Sequence, residues 1–128
     1  MRRKRILIAA AAAVVAAAAL LVAGGGWISS LSYRRAGDRL AGRLPETLAA
    51  KYGGELRYTL DKFWSCYRSG ICSRNDMTDV MDRMRALSSE AEITDRQIFE
   101  FIGFVSRLYT DRFEERHLRQ MEEELGGG

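Results

Sequence analysis

Two cysteines are the residues of this 128-residue chain with the clearest potential for covalent chemistry. Cys66 and Cys72 are its only cysteines, and Gly70 lies between them. Six positions apart on one continuous helix, the thiols would not meet, but a glycine that ends the helix turns the chain back and brings them towards bridging distance. We therefore expect a disulfide between Cys66 and Cys72 if the domain lies outside the cytoplasm, the alternative being two reduced thiols in the core.

The other residues with ligand chemistry do not indicate an active centre. His117 is the only histidine, and one histidine with two cysteines is too few for a structural zinc site. Three methionines share a helix face with two aliphatic residues: Met77, Met81 and Met84 with Val80 and Leu87. Thioethers suit Cu(I), but a shared apolar face is typical of a packed core. The sequence thus predicts no enzyme activity, no metal, no cofactor and no small-molecule substrate.

Three apolar residues near the C-terminus form the candidate partner-binding site: Leu118, Met121 and Leu125. At about 100° per residue they fall opposite the apolar stripe that starts at Ile98, and they lie among glutamates. A straight helix cannot bury both sides in one small core. We therefore expect these residues to contact another protein subunit or a second copy, unless the helix bends after Phe113.

The elements that would position these residues are all helices. Apolar residues recur at helical spacing along the chain. The predicted helices cover residues 27–44, Glu46–Tyr52 ended by Gly53 and Gly54, Glu55–Ser69 ended by Gly70, Ser73 to about Leu87, and a long helix from Asp95. The fold class is therefore all-α, a small bundle of four to five helices with a long C-terminal helix, preceded by a transmembrane helix.

Two helix starts carry the signature of a capping box, in which a hydroxyl and an acidic or amide side chain cap each other's backbone. Ser73 with Asp76 marks one start, and Thr94 with Gln97 marks the other. The second pair predicts that the long helix begins at Asp95.

The N-terminal segment reads as a membrane anchor. Ile6 to Ala23 is a run of eighteen residues without a charged or polar side chain. As a helix it would measure about 27 Å, close to the hydrocarbon core of about 30 Å. A removable signal peptide is the alternative, because a basic start and an apolar middle fit both.

The charge distribution bears on location and partners. Residues 1–26 carry four basic residues and no acid, residues 27–74 carry nine basic against four acidic residues, and residues 75–128 carry seven against thirteen. Residues 27–128 thus sum to −1, which argues against nucleic acid as a partner. The basic cluster before the apolar run favours a cytoplasmic N-terminus in a bacterial inner membrane, single-pass, with the C-terminal domain in the periplasm or exterior.

Together these observations divide the chain into an anchor or signal peptide (1–26), a juxtamembrane helix (27–44), a helical domain (45–125) and a disordered tail (126–128). The function expected is non-enzymatic: a membrane-tethered accessory or assembly subunit that acts by protein–protein contact. The alternative is a small periplasmic chaperone-like or metal-responsive helical protein.

Overall fold

The described part of the protein, residues 30–126 of a computed structural model, consists of helices joined by short turns and contains no strand. In this part α1 covers residues 30–43, and three further helices follow: α2 Glu46–Arg68, α3 Arg74–Ser88 and α4 Asp95–Gly126. The all-α fold and the long C-terminal helix are confirmed. The predicted anchor at residues 1–26 lies outside the described residues. Within residues 30–126, no helix combines the length and the apolar character needed to cross a bilayer.

The chain divides into two units between Arg35 and Ala36. In the first unit, residues 30–35 are helical. The second unit contains the rest of α1 and all of α2, α3 and α4.

The second helix differs from the prediction at one point. Gly53 and Gly54 were expected to separate two helices, but α2 runs unbroken from Glu46 to Arg68. Each glycine inside a helix costs about 1 kcal/mol relative to alanine. Apolar side chains on both sides of the pair are buried on one face of α2, among them Tyr52 and Leu56. The packing of that continuous face outweighs the local preference of the glycines.

The turns between the helices follow their local sequence. Gly70 has φ +78°, the left-handed conformation expected after the end of α2. The capping box of Ser73 and Asp76 starts α3, with both reciprocal hydrogen bonds present. Thr94 and Gln97 exchange the same pair of hydrogen bonds before α4. Both predicted helix starts are confirmed.

Among α2, α3 and α4, the largest packing contact is between α2 and α4, and these two helices run parallel. Lys51 and Tyr52 near the start of α2 bind Asp95, the first residue of α4. Towards the other end, Ser69 after α2 accepts a hydrogen bond from Arg116 of α4. This order of contacts shows that the two helices run in the same direction. Helix α3, which connects them in the chain, packs against α4.

The core lies where α1, α2, α3 and α4 contribute fully buried side chains: Leu40, Leu56, Phe63, Val80, Met84, Ile98 and Val105. In α4 burial stops early, because its buried residues lie between Ile98 and Val105. The helix nevertheless continues without interruption to Gly126, so the chain does not fold back after Phe113. Gly126, assigned to the tail by the sequence, is helical, and Gly127 and Gly128 lie outside the described residues.

Candidate functional site

The C-terminal part of α4 extends beyond the core and carries the three predicted partner-binding residues. Leu118 is 58% exposed, Met121 43% and Leu125 81%, although all three side chains are large and apolar. Every residue from 117 to 126 is exposed. These ten residues prolong the helix by about 15 Å beyond Arg116.

The two sides of this extension differ in chemistry. Arg112 and Arg116 lie seven and eleven positions after the buried Val105, so they continue the side of α4 that faces the core. Leu118, Met121 and Leu125 lie on the opposite side. Glu114 and Glu122 are four positions before and after Leu118 and flank it on that side. We call Leu118, Met121, Leu125, Glu114 and Glu122 the outer face.

An ion pair attaches the base of this extension to α3. Arg112 binds Asp76 through two hydrogen bonds, from Nε to Oδ2 at 3.1 Å and from Nη2 to Oδ1 at 3.2 Å. The Asp76 side chain is only 5% exposed, and that of Arg112 is 38% exposed. Asp76 also accepts from the backbone N–H of Ser73 at 2.9 Å. One carboxylate therefore caps α3 and holds α4 at the point where the core ends.

The electrostatics of this pair favour its charged form. Burial alone would raise the pKa of Asp76, but hydrogen bonds from Arg112 and from Ser73 outweigh it and lower the pKa below 3.8. The pKa of Arg112 is raised by Asp76 and then by Glu115, whose carboxylate oxygens lie 3.2 Å from Nη1. The pair is therefore ionised over the whole neutral range.

Next to this pair, a cavity of about 390 Å³ separates the turn after α2 from α4. Three arginines and two acids line it, together with the turn itself: Arg112, Arg116, Arg119, Asp76 and Glu115. The Nη1 of Arg116 donates to the carbonyl of Ser69 at 3.4 Å. Arg112 and Arg116 are thus paired on the inner side of α4, and no arginine belongs to the outer face.

The predicted disulfide is wrong: Cys66 and Cys72 are both buried and both free thiols. Gly70 does turn the chain back as expected, since the N–H groups of Ile71 and Cys72 both bond to the Cys66 carbonyl, at 2.9 and 3.2 Å. Burial, followed by the proximity of Cys66 and Asp76, raises the pKa of Cys72 to about 12. Its thiol therefore stays protonated at neutral pH, whereas disulfide exchange requires a thiolate. The two cysteines act as small core residues.

The remaining candidates are scattered. Met84 is fully buried, Met77 and Met81 are half-buried, and His117 is exposed on the extension of α4. Across residues 30–126, no group of three or more histidine, cysteine or acidic side chains is placed to hold a metal ion.

Sequence reasoning did not find the pair of Asp76 and Arg112. Asp76 was recognised only as a capping residue, and its second role depends on a partner 36 positions away. One signal was present: Arg112 stands on the core-facing side of α4, where the stripe of Ile98 and Val105 predicts an apolar residue.

Comparison with known proteins adds no relative: no family model matches the chain, and no curated protein or solved structure is significantly similar to it. A proposal for its function therefore rests on its own residues.

Proposed function

We propose that this chain is a membrane-tethered, non-enzymatic helical protein, an accessory or assembly subunit that acts by protein–protein contact through the outer face of α4. The observation that carries the proposal is the exposure of Leu118, Met121 and Leu125 on a helix whose inner side is already occupied. Large apolar side chains grouped on one exposed side indicate a contact surface more often than isolated ones do.

The chemistry of the outer face defines the kind of partner. Its apolar residues are spaced three and four positions apart, as in helices that pack side by side. Glu114 and Glu122 flank them. The partner is therefore an amphipathic helix with a matching apolar stripe and with lysine or arginine beside it.

The attachment of α4 favours such a contact. Asp76, Ser69 and Glu115 hold Arg112 and Arg116 at the base of the extension. Because the helix is continuous and fixed at this base, the outer face is presented in one orientation before the partner arrives. Binding then orders few additional groups, which reduces its entropic cost.

The tether half of the proposal rests on the apolar run Ile6–Ala23. We expect the full chain to remain in the membrane fraction after a carbonate wash at high pH, and a chain lacking residues 1–26 to be released. Fractionation with detection of a C-terminal tag measures both. A mature N-terminus near Gly25, determined by mass spectrometry, would show that the segment is a cleaved signal peptide and that the tether is wrong.

The contact half is tested by replacing Leu118, Met121 and Leu125 together with serine. Because all three are exposed, the free energy of unfolding should change by no more than about 1–2 kcal/mol, most of it helix propensity. The variant should lose the chains that co-purify with the wild type in mild detergent.

A matched control replaces three exposed residues of the same segment, on its opposite side, with serine: Arg119, Gln120 and Glu123. This variant has the same number of serines in the same helix and should keep the co-purifying chains. Equal retention by both variants would show that the outer face is not the contact surface.

A further inference from the structure

A second surface, separate from the outer face, lies between the parallel helices α2 and α4. It is a groove with a volume of about 210 Å³. Four aromatic residues line it, with one carboxylate and one glycine: Tyr52, Tyr58, Phe99, Tyr109, Glu55 and Gly103. Tyr58 and Phe99 are 64% and 63% exposed, which is high for aromatic side chains of a helical domain.

The charge of this groove has one sign only. Glu55 is its single charged lining residue, and no lysine or arginine is among the residues that line it. Within residues 30–126, Glu55 makes no hydrogen bond and no ion pair. The groove therefore combines an unpaired carboxylate with four aromatic side chains, whose ring faces are electron-rich.

This combination is suited to an organic cation. Aromatic faces attract quaternary and other alkylammonium groups, and a nearby carboxylate supplies the opposite charge. The same aromatic cluster already holds one cation on its outside, because Nζ of Lys51 lies 5.1 Å from the centre of the Tyr52 ring. An anion would meet repulsion from Glu55 and from the rings.

The floor of the groove leaves room for such a group. A Cβ atom placed on Gly103 would meet nothing within 4 Å, and Gly103 has an ordinary helical backbone. A long side chain at this position would occupy the open space beside the glycine.

We propose that the groove between α2 and α4 binds an alkylammonium cation of the choline type, held by the rings of Tyr58, Phe99 and Tyr109 and by the carboxylate of Glu55. The cation is either a free solute or the headgroup of a lipid, since both present the same trimethylammonium group. The site does not depend on the outer face of α4.

Titration of the full chain in maltoside micelles, which contain no ammonium group, tests the proposal. Choline chloride is the ligand, and 3,3-dimethylbutan-1-ol, its neutral isostere, is the comparison. We expect saturable changes in the aromatic NMR signals of Tyr58 and Phe99 with choline, and at least about tenfold weaker binding of the alcohol. Equal binding of the two compounds, or no saturable change with choline, would overturn the proposal.

Variants locate the site. Glu55→Gln should weaken choline binding by about three- to tenfold, while Glu46→Gln, an exposed acid on α2 outside the groove, should not. Gly103→Leu should abolish binding, and its circular dichroism spectrum shows whether it has folded. If it has not, Tyr58→Ala, at an exposed position, provides the same test. Unchanged affinity in Glu55→Gln and Tyr58→Ala would refute the assignment.

The source of the cation is resolved with nanodiscs. Signal changes with phosphatidylcholine nanodiscs and not with phosphatidylglycerol nanodiscs assign the lipid headgroup. Changes with free choline alone assign a soluble ligand, and either result supports the site.

Discussion

Asp76→Ala is expected to lower the free energy of unfolding by about 2–4 kcal/mol. The substitution removes a capping acceptor, worth about 0.5–2 kcal/mol, and leaves Arg112 with Glu115 as its remaining carboxylate partner. Breaking a fully buried ion pair costs about 3–5 kcal/mol, but the Arg112 side chain is 38% exposed, so solvent compensates part of that loss. Urea denaturation measures the change, and Asp79→Ala, at an exposed position on the same helix, serves as the control.

The same carboxylate should give the protein an acid-sensitive component of stability. The pKa of Asp76 is lower in the folded state than its ordinary value of 3.8. Its contribution is therefore complete above about pH 4 and is lost as the pH falls through the lower, folded-state pKa. Asp95, whose pKa is lowered by Lys51 and Tyr52, acts in the same direction.

The difference between wild type and Asp76→Asn isolates the contribution of Asp76. Stability curves measured from pH 2 to pH 7 should diverge at neutral pH and converge in acid. Parallel curves across that range would show that the pair with Arg112 does not stabilise the fold.

Phe101→Ala is expected to destabilise the protein by about 3–5 kcal/mol, while Phe113→Ala should change stability by less than about 0.5 kcal/mol. Both phenylalanines lie in α4, twelve positions apart. In the structure Phe101 is 5% exposed and Phe113 is 59% exposed. Only the first substitution removes buried apolar volume.

Chemical denaturation of the two variants in parallel measures their free energies of unfolding. Both variants lose the same side-chain volume, so the difference between them reports burial. A cost for Phe113→Ala similar to that of Phe101→Ala would mean that the end of α4 packs against the domain. The core would then extend along α4 beyond Val105, and the exposed position of Phe113 would be wrong.

Local signals made much of the fold predictable. Hydroxyl and carboxyl or amide side chains three positions apart fixed the starts of α3 and α4, because capping depends only on neighbouring residues. Gly70 was predicted for the same reason. The helix break predicted at Gly53 and Gly54 was wrong, because burial of the face that includes Tyr52 and Leu56 keeps α2 continuous. That burial cannot be deduced from neighbouring residues alone.

The site was predictable only in part. The opposite orientation of Leu118 and Ile98 follows from helix periodicity alone. The pair of Asp76 and Arg112 and the groove of Tyr58 and Phe99 depend on which helices pack together and in which direction. A single sequence does not reveal which helices pack against each other. The predicted disulfide was wrong for a similar reason, because the burial of Cys72 depends on how the helices pack.

The parallel arrangement of α2 and α4 also determines when this domain can fold. The hydrogen bonds that join α4 to α2, to the turn after it and to the start of α3 link residues 36 to 47 positions apart, such as Asp76 with Arg112 and Ser69 with Arg116. Helix α3 cannot replace them, since it packs mainly against α4. During synthesis α2 thus lacks its contact with α4 until α4 has emerged, and we expect the closure of this long loop to slow folding. A nascent chain that stops before Asp95 should therefore expose the apolar side of α2 to chaperones or aggregation.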